Sequence, residues 1–248
     1  MNRAQSELRR GAPVALALDH VFICTSSGAP EADALTDAGF TEGPGNTHPG
    51  QGTACRRFFF RNAYLELLWV RDEAEARSPL TAPLRLWERW RGRADGHTCP
   101  FGIGLRAGGA TAGGEEDTGS APFPTWPYRP RYLPPDMTIP VATSSDALHE
   151  PLLFLLPFPR ARTANADGDG GGPLWRPHAA GVDTLTRVAL EAPPAPSSGP
   201  SVALTAVAAA GIVERSARAD HVLVLGFDGE ATGREADFRP MLPLIVRW

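Results

Sequence analysis

Two residues of this chain combine a reactive side chain with a setting that demands a partner. His20 stands inside Leu18-Asp19-His20-Val21-Phe22-Ile23, and Glu66 inside Tyr64-Leu65-Glu66-Leu67-Leu68-Trp69. Both runs are short and apolar. Runs of that length read as buried strands, and a polar atom within one must find a partner. An imidazole nitrogen and a carboxylate oxygen suit a divalent metal such as zinc, nickel, iron or manganese. Without a metal, the same groups form a hydrogen-bonded polar pair, or Glu66 serves as a general base on a carbon acid.

Other residues join these as candidates for contact with a small molecule. The stretch from Asn46 to Thr53 carries His48 and Gln51 with Gly50 and Gly52. Glycine allows close backbone approach to a ligand, although a long hairpin turn explains the same residues. Arg56, Arg57 and Arg61 can face an anionic group, or be solvated or salt-bridged like most strand-edge arginines. Phe22, Phe58, Phe60, Trp69 and Trp126 supply aromatic surface for the lining. His48, His149, Glu150 and His178, or a symmetry partner, are groups that can complete a coordination sphere. His97, His178 and His221 otherwise read as surface or loop histidines. The run Glu115-Glu116-Asp117 reads as a solvated loop, and Gly170-Gly171-Gly172 lacks the strand and helix that a phosphate loop needs.

The elements that must position these groups follow from the apolar pattern. A first strand runs about Val14 to Cys24. Alternation puts Leu16, Leu18, His20 and Phe22 on one face and Asp19, Val21 and Ile23 on the other. A helix from about Pro30 to Ala38 ends at Gly39. A second strand begins at Phe40 and is cut at Pro44-Gly45-Asn46. Cys55 to Phe60 and Ala63 to Val70 form the next two strands, joined by a tight turn at Asn62. Leu84 to Trp90 has the spacing of a short docking helix. The region from Cys99 to Phe158 gives a strand at Phe101–Arg106, a Gly- and acid-rich loop at Ala107–Ala121, proline-punctuated extended segments, and an apolar run at Pro151–Phe158. Arg160 to Gly172 reads as a linker. The last part repeats strand, helix, strands from Leu185 to Val246, with an alanine-rich helix at Val202–Ala210 stopped by Gly211.

The words Asp19-His20-Val21-Phe22-Ile23, His48-Pro49-Gly50-Gln51-Gly52-Thr53, Arg57-Phe58-Phe59-Phe60 and Leu65-Glu66-Leu67-Leu68-Trp69, in this order of elements, resemble the glyoxalase-like domain proteins of the vicinal oxygen chelate superfamily. The resemblance implies an α+β fold of repeated βαβββ modules forming a cupped mixed sheet, about three modules with the middle one degenerate. Residues 12–161 would be two paired modules and residues 181–248 a third. It implies a metal in the cup, held by a His or Gln from each first strand and a Glu from each last strand. His20 and Glu66 fall on two of those four positions. The middle module offers Ile103 or Gly104 and Phe154 to Pro157 at the other two, and the third offers Arg187; none is a ligand. The expected function is binding of a small carbonyl or aromatic compound, with a metal-dependent lyase, isomerase or oxygenase reaction at His20 and Glu66. The alternative is a metal-free, non-catalytic binder of drug-like compounds. Fold does not by itself fix the reaction.

Composition sets the outer limits. The chain has 248 residues, 42% hydrophobic and 21% charged, with a net charge of −4. That charge argues against nucleic acid or an anionic membrane as partner, and leaves a small-molecule ligand and a homodimer as the expected associations. All 24 basic residues are arginine. Cys24, Cys55 and Cys99 have no paired spacing, so a reducing cytoplasm is expected, with Cys24 and Cys55 as core residues. No stretch approaches the ~20 apolar residues of a membrane span.

Overall fold

The computed structural model describes residues 16–96, 98–107, 121–157, 174–194 and 199–248. The N-terminal residues 1–12, His97, nearly all of the loop Ala107–Ala121 with its acidic run, the linker Arg160–Gly172 and the middle of Pro193–Pro200 lie outside these residues.

The first module is β1 (Leu16–Cys24), α1 (Ala32–Asp37), β2 (Glu42–His48), β3 (Thr53–Phe59) and β4 (Tyr64–Val70). The second supplies β5 (Phe101–Ala107), β6 (Thr125–Tyr128), β7 (Ile139–Ala142) and β8 (Leu152–Leu155). Together they form one eight-stranded mixed sheet in the order β2-β3-β4-β1-β5-β8-β7-β6. The two first strands, β1 and β5, pair antiparallel at its centre, and each runs parallel to its module's last strand, β4 or β8. This is the mixed sheet that the resemblance implies.

Three local features differ from simple alternation. In the β1–β5 ladder Leu18 faces Leu105 and His20 faces Gly104, so Asp19 is a bulge. A bulge adds one residue and shifts the phase of every side chain before it. Leu16 and Leu18 therefore join Val21 and Ile23 in one core, while His20 and Phe22 point the opposite way. In β2, Pro44 does not end the strand. It sits within a second register shift, between Gly43 and Asn46, on the edge strand of the sheet, where proline is tolerated. The hairpin turn falls later, at Pro49–Gly52. There Gly52, at φ +76°, approaches the chain after β4 so closely that a Cβ would lie 2.3 Å from the Asp72 carbonyl oxygen.

The C-terminal part contains β9 (Leu185–Ala192), the helix Val202–Ala209, β10 (Glu214–Ala217), β11 (Val222–Phe227), β12 (Glu235–Asp237) and β13 (Leu244–Arg247). The helix is capped by Ser201, whose hydroxyl accepts from the Leu204 amide at 3.1 Å. The element order is the expected one, with one strand more. The pairing is not that of the first module: the order is β10-β9-β11-β13-β12, with β9 inside the sheet. Here β9 and β11 pair antiparallel at the centre and run parallel to β10 and β13. That layout reproduces β4-β1-β5-β8 of the larger sheet with fewer strands.

The two sheets share a core. Val21, Ile23, Phe58, Leu65, Leu67, Ile103 and Leu105 from the first sheet cluster with Val188, Leu223, Leu225, Phe227 and Leu244 from the second. Burying each such side chain contributes about 1.5–3 kcal/mol. Polar clasps fix the contact. Asn62 donates to the Leu185 carbonyl at 2.8 Å and accepts from the Leu185 amide at 3.0 Å.

His178, expected at the surface, is buried here. Its Nδ1 accepts from the Thr41 amide at 2.9 Å and its Nε2 lies 3.0 Å from the Phe59 carbonyl. An imidazole that accepts at one nitrogen and donates at the other is neutral. Burial, partly offset by the Phe59 carbonyl and Asp183, holds His178 below the ordinary 6.5. Protonation therefore favours the unfolded chain, so the contribution is complete above pH 6.5 and is lost as pH falls from there through the folded value. His178→Gln is expected to remove that part of the acid limb in urea unfolding at pH 5 to 7. An unchanged limb would show that His178 does not carry it.

Two short helices follow the first module. They are α2 (Glu73–Ala76) and α3 (Leu86–Gly92). Trp90 donates to the Thr25 carbonyl at 2.8 Å, and Leu84 and Leu86 pack with Phe22, Leu68, Tyr128 and Val141. Arg89 on α3 is fully buried and spends its guanidinium on the carbonyls of Cys99, Ser145, Ala147 and Glu150. Among the described residues no helix is long and apolar enough to cross a membrane.

Candidate functional site

The face of the larger sheet turned away from the shared core forms a cup with a cavity of about 350 Å³. His20 and Phe22 of β1 and Tyr64, Glu66 and Leu68 of β4 line it together. His20 pairs with Tyr64 and Phe22 with Glu66 across the parallel ladder, so the imidazole and the carboxylate share one face. Asn46, Thr47, His48, Gln51 and Arg57 extend the polar wall. Leu84, Leu86, Leu133, Ile139, Val141, Leu152, Phe154 and Leu156 make the rest apolar, with Tyr128 and Tyr132 among them. The rims meet where the Tyr132 hydroxyl donates to Gln51 Oε1 at 3.1 Å.

The bulge at Asp19 sets the state of His20. It brings Asp19 Oδ1 to 2.7 Å from His20 Nδ1, while Arg106 holds the other carboxylate oxygen through Nε at 2.6 Å and through Nη2. Tyr64 stacks on the imidazole at 4.5 Å, and Phe154 meets it edge-on at 5.4 Å. With Nδ1 occupied, Nε2 is the nitrogen left for a ligand in the cavity. Burial alone would push the imidazole down. The Asp19 hydrogen bond and the charges of Glu66 and Asp19 outweigh it and hold His20 above its ordinary value.

The glycines of β5 explain why the second module contributes no ligand. Gly102 and Gly104 face the cup beneath the rings of β1. A Cβ on Gly104 would lie 2.5 Å from His20 Cε1, and one on Gly102 would lie 2.0 Å from Phe22 Cε1. The room that a second histidine would need is filled by the first.

Only one member of the metal pair expected from the sequence, Glu66, belongs to the donor set that converges among the described residues. His48, Cys55 and Glu66 each bring a donor atom within 4.8 Å of the others, and His20 is not among them. They stand on β2, β3 and β4, three adjacent strands. Cys55 Sγ lies 3.6 Å from Glu66 Oε1. Nitrogen, sulfur and oxygen donors together suit a zinc-like ion, so the chemistry of the set fits a divalent metal. Other features favour the metal-free state. Burial and Glu66 push the Cys55 thiol up, whereas a ligand must be a thiolate. His48 is engaged at both nitrogens, by Thr53 Oγ1 at 2.9 Å and Asn46 Nδ2 at 3.2 Å. Burial, with Arg57 and His20, holds His48 below its ordinary value, although Glu66 opposes this. Cys55 is the buried core residue that the strand pattern implies, and it also belongs to this donor set. The signal for it lay in the hairpin at Asn62: that register puts Cys55, Arg57, Glu66 and Leu68 on one face of the β3–β4 ribbon.

The remaining candidates divide by face. Phe22, His48, Gln51 and Arg57 line the cavity. Arg57 stands opposite Glu66 across the ladder, yet donates to the carbonyls of Pro44 at 2.8 Å and Gly45 at 3.2 Å. Phe58, Phe60 and Trp69 do not line it. Strand alternation sends them to the opposite face, into the core shared with the second sheet. Trp126 packs at the margin of the cup-side cluster, with Nε1 3.4 Å from Ser145 Oγ, and is not part of the wall. His149 and Glu150 sit before β8 and line a separate hollow between the sheets. Arg187 is paired with Glu214 and Glu230.

The eight-stranded cup with its polar wall on β1 to β4 is the sheet arrangement that the resemblance to vicinal oxygen chelate proteins implies. Residues 18–108 match the family model described as a glyoxalase-like domain. The matched segment runs from β1 through β5, the two strands that pair at the centre of the sheet. A crystal structure of a hypothetical protein from Staphylococcus aureus aligns over 94% of this chain and 98% of that one, at 10% identity and a TM-score of 0.48. Among curated proteins there is no significant match.

Proposed function

We propose that the cup binds a small carbonyl or aromatic compound, its body against the apolar wall and its oxygen head at His20 and Glu66. One observation supports this above the others: two buried ionisable side chains open together into a cavity of about 350 Å³ that is otherwise mostly apolar. Ligand pockets are typically ~300–1,000 Å³ with a few convergent polar groups, so this one suits a ligand of one ring or a short chain. The His20 imidazolium is placed to donate to a ligand oxygen through Nε2. The Glu66 carboxylate is placed to accept a proton from a ligand O–H, or from a carbon acid beside a carbonyl.

A divalent metal, when bound, would be held by His48, Cys55 and Glu66 and would polarise a carbonyl as a Lewis acid. The second reading is a metal-free binder. It is favoured by the glycines of β5 and by the hydrogen bonds that already occupy His48. One preparation separates the two. Protein purified without a histidine tag is assayed for metal and titrated with acetophenone by calorimetry. Saturable binding at one site per chain is expected. Stoichiometric metal lost in both Cys55→Ser and His48→Ala would support the metal reading, and a metal-free protein that binds acetophenone would support the second. Protein that binds neither would overturn the function proposed.

A further inference from the structure

Three arginines stand in or just after β3, and two of them are ion-paired: Arg56 with Asp33 and Glu42, and Arg61 with Asp183. Arg57, between them, forms no ion pair among the described residues. It is half-buried and lines the cup, and its charge is felt by His48 and Tyr64 in the same wall. Its guanidinium is held in place without being used up. At the register shift of β2 it donates to the Pro44 carbonyl through Nε at 2.8 Å and to the Gly45 carbonyl through Nη2 at 3.2 Å. Its central carbon lies 4.9 Å from the centre of the Phe59 ring. Those two bonds occupy one edge of a planar fork of five donors. Nη1 has no hydrogen-bond partner among the described residues, and it is not one of the buried atoms left without a partner, so it keeps accessible surface. A guanidinium fixed by neutral carbonyls and a ring keeps its full charge. It loses little further freedom on taking a carboxylate, the anion that its fork fits best.

From this we infer that Arg57 anchors an anionic end of the ligand, and that the ligand class is aromatic keto acids whose carboxylate lies beyond the carbonyl from the ring. This inference rests on the binding role proposed for the cup. The order of groups follows the order of strands. Phe154 and Val141 stand on β8 and β7, His20 and Glu66 on the central β1 and β4, and Arg57 on β3 with its head at β2. A ligand lying across the sheet therefore places its ring at the second module, its ketone oxygen at His20 and Glu66, and its carboxylate at Arg57. Neighbouring strands are ~4.8 Å apart, so roughly two carbons between carbonyl and carboxylate suit the span.

The test uses the full chain at pH 6.5 and three probes: acetophenone, 3-benzoylpropionate and 3-benzoylpropionamide, the neutral counterpart of the acid. Wild-type protein should bind the acid about tenfold more tightly than the amide, the value of one charge-assisted hydrogen bond. That ratio should shrink as salt is raised, because the charge at Arg57 is partly screened. Arg57→Gln should bring the acid and the amide to nearly equal affinity, and Arg57→Lys, which keeps the charge, should retain part of the preference. Arg57 as a clamp on β2 alone would not produce this pattern, because loss of a clamp weakens both compounds together. Should Arg57→Gln fail to fold, the ratio in wild type and in Arg57→Lys decides. Equal affinity of wild type for acid and amide would overturn the inference while leaving the binding role intact. A full preference for the acid in Arg57→Gln would also overturn it, by placing the anion elsewhere. Binding of none of the three compounds would overturn the reading of the cup, and the inference with it.

Discussion

Asp19→Ala will cost about 3–5 kcal/mol of stability, the loss seen when one partner of a buried ion pair is removed. The carboxylate is buried, and it bridges the His20 imidazole and the Arg106 guanidinium. Without it Arg106 loses the buried carboxylate that holds its Nε and Nη2, and His20 Nδ1 loses its acceptor. For a chain of this size each kcal/mol lowers the melting temperature by about 2–4 °C, so a drop of roughly 10 °C is expected by calorimetry. The pH dependence carries more information. Burial would raise the Asp19 carboxyl, but the His20 hydrogen bond and the charges of His20 and Arg106 hold it below 3.8. A depressed carboxyl stabilises the fold above its unfolded value, and that contribution is lost as pH falls through the folded value. His20 behaves in the opposite sense. Its raised value stabilises the fold below 6.5, and that contribution is lost as pH rises through the folded value. The pair therefore contributes most between about 3.8 and 6.5. Urea unfolding across pH 3 to 9 should show this plateau with falling limbs in wild type. Both limbs should flatten in Asp19→Ala. Parallel wild-type and variant profiles would show that the triad is not coupled to folding.

Gly104→Val will be comparably damaging, through space instead of charge. The added Cβ would lie 2.5 Å from His20 Cε1 and 2.7 Å from its Nδ1, and the ring cannot retreat because Tyr64 stacks on it and Asp19 holds it. Overpacking of this kind costs about 1–3 kcal/mol, and more where the neighbour is fixed. Valine also has good strand propensity, so a loss here reports the collision and not the backbone. Gly104→Ala should fall between, and Ile103→Val, whose side chain faces the other core, should cost only about 0.5–1.5 kcal/mol. Thermal melts of the three variants give the order. A Gly104→Val protein as stable as wild type would mean that the imidazole does not lie over β5.

The strands β1 and β4, and the alternation that sets His20 with Phe22 and Glu66 with Leu68, were legible because strand alternation is local and the apolar runs are short and clean. Three things were not. The bulge at Asp19 leaves no local mark, since an extra residue in Leu16–Cys24 has the same composition as a regular strand. It also decides that Asp19 partners His20 and that Leu16 and Leu18 leave the cup. The burial of Phe58, Phe60 and Trp69 against a second sheet depends on how the C-terminal part docks. Aromatic residues on both faces of a hairpin look alike until that sheet is in place. The donor role open to Cys55 is not legible, because its distance from Glu66 is set by the register across β3 and β4, not by sequence spacing. The degenerate second module, by contrast, announced itself: Gly102, Gly104 and Phe154 stand where ligands would be sought, and the rings above β5 give the reason.

The most direct test of the account is a crystal structure of the protein soaked with acetophenone. The account predicts the ring between Leu68, Leu86, Val141 and Phe154, with the ketone oxygen turned to the side of the cup where Glu66 stands and within hydrogen-bond distance of His20 Nε2. A cup that holds no acetophenone under saturating conditions, or a ligand bound with its oxygen turned away from both residues, would contradict it.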